Sequence, residues 1–190
     1  MSADIISRIR RNHGLEHATI HVLSQKFKNF SAQGHSNHTG FFLNIYGEVP
    51  ESAVQDAVVE AHQRMKGGEH QLAVHPNCGT VLMTTGLMAA VATQLVFGVE
   101  QMRQRRSALN PLVFFNALPS AVLAVVVTLI VSRPIGMAIQ EKFTTEGDLG
   151  ALRVVQVKQI SPSVVTQFFR VLLAGGRPLK TRAYRIFTEG

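Results

Sequence analysis

The chain has 190 residues, of which 46% are hydrophobic; 19 Lys or Arg stand against 12 Asp or Glu, with one Cys and no Trp. That length fits one modest folded unit plus membrane segments and excludes two large domains. A single thiol excludes an intrachain disulfide and is more at home in a reducing compartment.

Residues 3–27 read as a helix, and inside it His13-Gly14-Leu15-Glu16-His17 spells H-x-x-E-H. Side chains four apart lie one turn above each other, so two imidazoles placed in this way can grip one ion. At about 100° per residue, the stripe around His13 also holds Ile6, Ile9, Glu16, Ile20 and Phe27, with Arg8, Arg11 and Lys26 opposite. The polar trio is therefore expected on the buried face, where it needs a metal or hydrogen-bonding partners. Gly14 costs roughly 1 kcal/mol against Ala in a helix, which suits a place where another backbone or a ligand comes close. His21 sits at the edge of the same stripe.

Phe30 to Gln33 and Gly40 to Tyr46 are expected to pair as strands about a His35-Ser36-Asn37-His38 turn, whose two imidazoles read as solvated. Pro50 opens a second helix at its first position and Gly67 closes it. Val54, Val58, Ala61 and Met65 form its apolar face, and Glu60 falls outside that face. Gln71 to Val74 reads as a short strand, which completes an α-β-β-α-β unit. Next, His75-Pro76-Asn77-Cys78-Gly79-Thr80 places an imidazole and a thiol three positions apart in a turn rich in Pro and Gly. Neutral His and thiolate Cys are both good zinc ligands; four complete a tetrahedral set and three leave room for water. The candidate metal ligands are His13, His17, His75 and Cys78, for Zn2+ or a similar divalent ion. His21, Glu69 and Asn77 are candidates to orient those ligands by hydrogen bonds.

From Gly79 to Val99 and from Ser107 to Ser132 no side chain is charged. Each run is long enough to cross a hydrocarbon core of about 30 Å, and together they predict a transmembrane hairpin with both termini on one side. No cleavable signal is expected, because Met1 to Gly14 is charged and lacks an apolar core. Arg103, Arg105 and Arg106 argue for a cytoplasmic loop. The basic carboxy-terminal tail, the long front region and the lone thiol argue the other way, and cytoplasmic termini and a cytoplasmic metal site are the reading adopted.

Beyond the hairpin, Leu152 to Ile160 reads as a strand, Val164 to Ala174 as a helix stopped by Gly175-Gly176, and Thr181 to Thr188 as a last strand. This β-α-β piece is expected to join the front sheet, so the fold class is an α+β domain with a two-helix transmembrane hairpin. The expected regions are 1–79, 80–132 and 133–190. Arg170, Arg177, Lys180, Arg182 and Arg185 make the last region basic, with anionic lipid of the bilayer as its expected partner. Nucleic acid is not expected, because the formal charge of +7 is spread along the chain without a recognition motif.

At its two motifs the chain resembles the YqhQ-like bacterial membrane proteins, which carry His-Gly-x-Glu-His and, before a transmembrane helix, His-Pro-x-Cys-Gly-Thr. The likeness covers roughly residues 12 to 100, and cyanobacterial and chloroflexal membrane proteins of unknown function are similar as well. It implies a bacterial inner-membrane protein with a metal-dependent activity resting on His13, Glu16, His17, His75 and Cys78. A looser similarity is to inverzincin peptidases, whose distant Glu ligand has no counterpart here, since Glu60 lies off its helix's apolar face. The expected function is a zinc-dependent hydrolase acting on a lipid or peptide. His13, His17 and one of His75 or Cys78 hold the ion, and Glu16 is the catalytic base that takes a proton from the attacking water. The alternative is a non-enzymatic membrane module in which all four ligands close the site.

Overall fold

A computed structural model describes residues 2–105, 110–164, 166–168, 171 and 180–190. The chain divides into two compact units, one made of Met1–His75 with Glu141–Gly190 and the other of Pro76–Gln140. Residues of the front region and of the carboxy-terminal region thus fall in one unit.

In the first unit, helix α1 spans Ser2–Lys26, strand β1 Phe30–Asn37, strand β2 Gly40–Gly47 and helix α2 Glu51–Lys66; strands β3, Arg153–Ile160, and β4, Thr181–Glu189, follow late in the chain. The four strands form one antiparallel sheet in the order β1-β2-β4-β3. β4 pairs with β2, which brings a late strand into the sheet begun by β1 and β2. Alternation decides which face is covered. Phe41, Leu43 and Ile45 of β2 and Tyr184 and Ile186 of β4 are buried against Leu15, Ala18, Val22 and Leu23 of α1 and Val54, Ala57, Val58, Ala61 and Met65 of α2. Leu43 stands opposite both Gly34 and Tyr184.

Several local expectations are corrected. The hairpin turn is His38-Thr39, so His35, Ser36 and Asn37 belong to β1; the ring of His35 stacks on Phe42 at 4.5 Å. Asn37 Oδ1 accepts from the Thr39 amide at 3.0 Å, the side-chain turn chemistry that stops pairing there. Pro50 is the residue before α2 rather than its first, and Gly67 does cap the end. Residues 71–74 are not a strand, because His70–Ala73 form a 3-10 turn. Ile6, assigned to a buried stripe, is 59% exposed. The apolar core lies on the opposite side of α1, at Leu15 and Val22, and from Asn12 to Thr19 every residue except His13 is buried. Most of the helix expected at residues 164–174, with its Gly175-Gly176 stop, lies outside the described residues, as do Arg170 and Arg177. Arg185, assigned to a basic surface, is 6% exposed, with its guanidinium over the rings of Phe42 and Phe187.

In the second unit, helix α3 spans Gly79–Gln104 and helix α4 Pro111–Ile139; a π-helical turn, Gln140–Thr144, follows, and from Glu141 on it belongs to the first unit. The helices outrun the uncharged stretches. α3 continues past Glu100 until Arg105 takes a left-handed conformation (φ 51), and α4 carries Pro134 within it and ends seven residues beyond Ser132. Asn110 caps α4, its side chain accepting from the Leu112 amide, with Pro111 in the first turn. α3 packs on α4 through small groups: Thr85 and Ser132 share a hydrogen bond of 2.8 Å, and Gly136 lies where a Cβ would press on Val81. Both helices are long and apolar enough to cross a membrane, with only 6% and 22% of their apolar windows buried. Leu82, Met83, Leu87, Leu95, Phe115, Leu123 and Ile130 are all more than half exposed, unlike the helices of a soluble core.

Candidate metal centre

Helix α1 sets three imidazoles in a row, one per turn, at His13, His17 and His21. His75, just past the 3-10 turn, comes beside them. Ring centroids are 4.4 Å apart for His13 and His17, 5.9 Å for His17 and His75, and 4.8 Å for His21 and His75. The connection that follows α2 approaches because Gly14 has no side chain. A Cβ there would meet the Glu146 carbonyl and come within 3.1 Å of Ala73 Cβ. The expected close approach at Gly14 is therefore that of backbone.

Each imidazole on α1 is oriented by a main-chain carbonyl. His17 Nδ1–H donates to Ala73 O at 2.7 Å, His13 Nδ1–H to Thr144 O at 2.9 Å, and His21 Nε2–H to Val74 O at 2.9 Å. A neutral ring whose one nitrogen is a donor keeps a lone pair on the other, which fixes the ligating atom as Nε2 for His13 and His17. Burial holds the His17 ring neutral, lowering its pKa to about 3, with the nearby His13 adding to the effect and the Ala73 carbonyl opposing it. His75 is lowered to about 4, again by burial first and then by His21. At neutral pH these rings need shed no proton to bind a cation.

His13 and His17 are candidate metal ligands of the first unit, and Cys78 is a candidate ligand of the second. Cys78 is the residue before α3, three positions past His75. Imidazole nitrogens and a thiol are donors that fit zinc and neighbouring transition metals, so the residues present suit such an ion.

Glu16 takes another direction. It is 3% exposed, and its Oε2 accepts from Ser36 Oγ at 2.7 Å. Gly34 and Ser36 stand opposite Leu43 and Phe41 on the core face of the sheet, and Gly34 leaves open the space its Cβ would take from the Glu16 carboxylate. Neither glycine nor serine announced this in the sequence, because the partner lies across a layer rather than along the chain. Glu69 accepts two hydrogen bonds from Arg64, at 2.9 and 2.7 Å, Glu60 pairs with Lys26 at 2.6 Å, and Asn77 is exposed. The carbonyls of Ala73, Val74 and Thr144 are the orienting groups that sequence reasoning missed, since main-chain atoms leave no mark in composition.

A family model described as Domain of unknown function (DUF6391) matches residues 8–157, the greater part of the chain. An uncharacterized protein of Picosynechococcus sp. is 35% identical over a stretch covering 43% of this chain and 43% of that protein, so the match spans less than half of the relative's length. No solved structure matches.

Proposed function

We propose that this chain, which belongs to the family described as Domain of unknown function (DUF6391), is an integral membrane protein that binds one Zn2+ or similar divalent ion. His13, His17 and Cys78 are the proposed ligands, with His75 as the fourth. The observation that carries the reading is the carbonyl bond on Nδ1 of both His13 and His17, which leaves Nε2 of each ring as its metal-binding atom. The motif likeness to the YqhQ-like proteins supports the same residues. Four protein donors close a zinc site, and a closed ion contributes folding energy rather than turnover.

The hydrolytic reading has its own support. His13 is only partly buried, so solvent reaches one side of the row, and Glu16 is one position before His17. With three protein ligands, a bound ion would supply an acidified water, and Glu16 would accept its proton. One oxygen of that carboxylate accepts from Ser36 Oγ, which gives Glu16 a role in packing the layers as well, and the closed site is the first reading we propose. The bilayer is the proposed surroundings, in a bacterial inner membrane with both termini cytoplasmic and anionic lipid as a partner.

The test is X-ray absorption at the metal edge on protein purified without a polyhistidine tag. A four-coordinate shell of nitrogen plus one sulfur is expected. A shell without sulfur and with an exchangeable oxygen would favour the hydrolase, and protein that stays metal-free after zinc loading would sink both readings.

A further inference from the structure

We propose that the first two turns of α1, together with Phe143, form an interfacial anchor lying in the headgroup region of the bilayer. The inference rests on the membrane-spanning reading of α4 but not on the metal. Ile5 and Ile6 are 44% and 59% exposed, and Phe143 is 70% exposed. Phe143 belongs to the turn that continues α4, four residues past Ile139, between the charged Lys142 and the end of that helix at Thr144.

Helix α1 is laced to that same segment. The Arg10 guanidinium donates to Lys142 O at 3.1 Å and to Thr145 O at 2.9 Å, the Glu146 amide donates to Arg10 O at 3.0 Å, and His13 reaches Thr144 O. Ile6 is one turn before Arg10 and on its face, so it points along the side of α1 from which Arg10 grips residues 142–145. Two exposed isoleucines and a phenylalanine held this way leave apolar surface open to water unless lipid covers it. Arg10, on the face of Ile6, and Lys142, next to Phe143, put positive charge beside the patch, which suits an anionic surface.

The absence of tryptophan makes the test direct. Single-Trp variants Ile6→Trp and Phe143→Trp are reconstituted in bilayers of anionic and zwitterionic phospholipid, brominated either near the headgroup or near the chain end. Val59→Trp, on the outer side of α2, and Leu95→Trp, in α3, are the references. The expected result is that Ile6→Trp and Phe143→Trp are quenched more by shallow than by deep bromine, and well above Val59→Trp. Quenching at both sites no greater than at Val59→Trp, with Leu95→Trp strongly quenched, overturns the anchor while leaving the hairpin in the membrane. An unquenched Leu95→Trp overturns the membrane reading itself and the anchor with it.

Discussion

His17 and Ala73 are joined by a 2.7 Å hydrogen bond from imidazole Nδ1–H to a main-chain carbonyl, in a place where His17 is only 2% exposed. A ring so held is neutral, has one lone pair and cannot rotate freely, so it is prepared to bind a cation before one arrives. The first prediction follows from this preparation. Protein made without a polyhistidine tag carries about one equivalent of divalent metal, and removing a ligand by His17→Ala or Cys78→Ser lowers its zinc affinity by at least about tenfold, as even loss of an orienting group does. Competition with a chelator of known affinity measures it. Equal retention of metal in His13→Ala/His17→Ala and in wild type would show the ion to be elsewhere.

Acidity tests the same burial in the metal-free protein. The folded pKa values of His17 and His75, about 3 and about 4, lie below the ordinary 6.5. Between those values the unfolded chain binds more protons than the native one, so stability is fully present above about 6.5 and is lost as the pH falls toward 4 and 3. Melting in detergent should therefore drop between pH 7 and pH 5, and the drop should shrink in His17→Gln. A pH-independent melting temperature over that interval would contradict the buried neutral pair.

Glu16→Gln separates turnover from architecture. Gln keeps an oxygen to accept from Ser36 Oγ, so metal content and abundance are expected to stay at wild-type levels. Under the closed-site proposal, the variant rescues a deletion phenotype in the native host fully. A loss of rescue of about a hundredfold or more in activity, at equal abundance and metal content, is what general-base catalysis would produce and would reverse the preference.

Gly14→Ala sets two effects against each other. Alanine gains up to about 1 kcal/mol in helix propensity, but its methyl group would land on the Glu146 carbonyl and crowd Ala73 Cβ. Overpacking of this kind costs about 1 to 3 kcal/mol, so a net loss of stability is expected. It should appear as a lower melting temperature together with weaker zinc retention. A melting temperature at or above wild type would mean that the 146 segment yields without cost.

For topology, reporter fusions at Gly190 and within residues 101–105 should report opposite sides, since α3 and α4 form a hairpin. A cytoplasmic Gly190 is expected. An external Gly190 with an internal loop would invert the orientation and leave the hairpin standing.

The elements that sequence determined are those whose cause is local. The uncharged runs placed α3 and α4, Pro50 and Gly67 bracketed α2, and the segments Gly40 to Tyr46 and Thr181 to Thr188 read as the strands β2 and β4. The spacing of His13 and His17 placed two imidazoles on one face because helical geometry depends only on neighbours along the chain. Tertiary structure alone decided which face of α1 meets the apolar core, because the helix is covered nearly all round at Asn12 to Thr19 and Glu16 and His17 are nearly as buried as its leucines. It decided that residues 70–73 turn rather than extend, so that Ala73 and Val74 can offer carbonyls to His17 and His21. The same holds for Glu16, whose place in the motif suggested a base and whose carboxylate meets Ser36 across the layer. The direction of a buried polar group is set by which donors the packed layers bring to it, and those donors come from chain segments far apart in sequence.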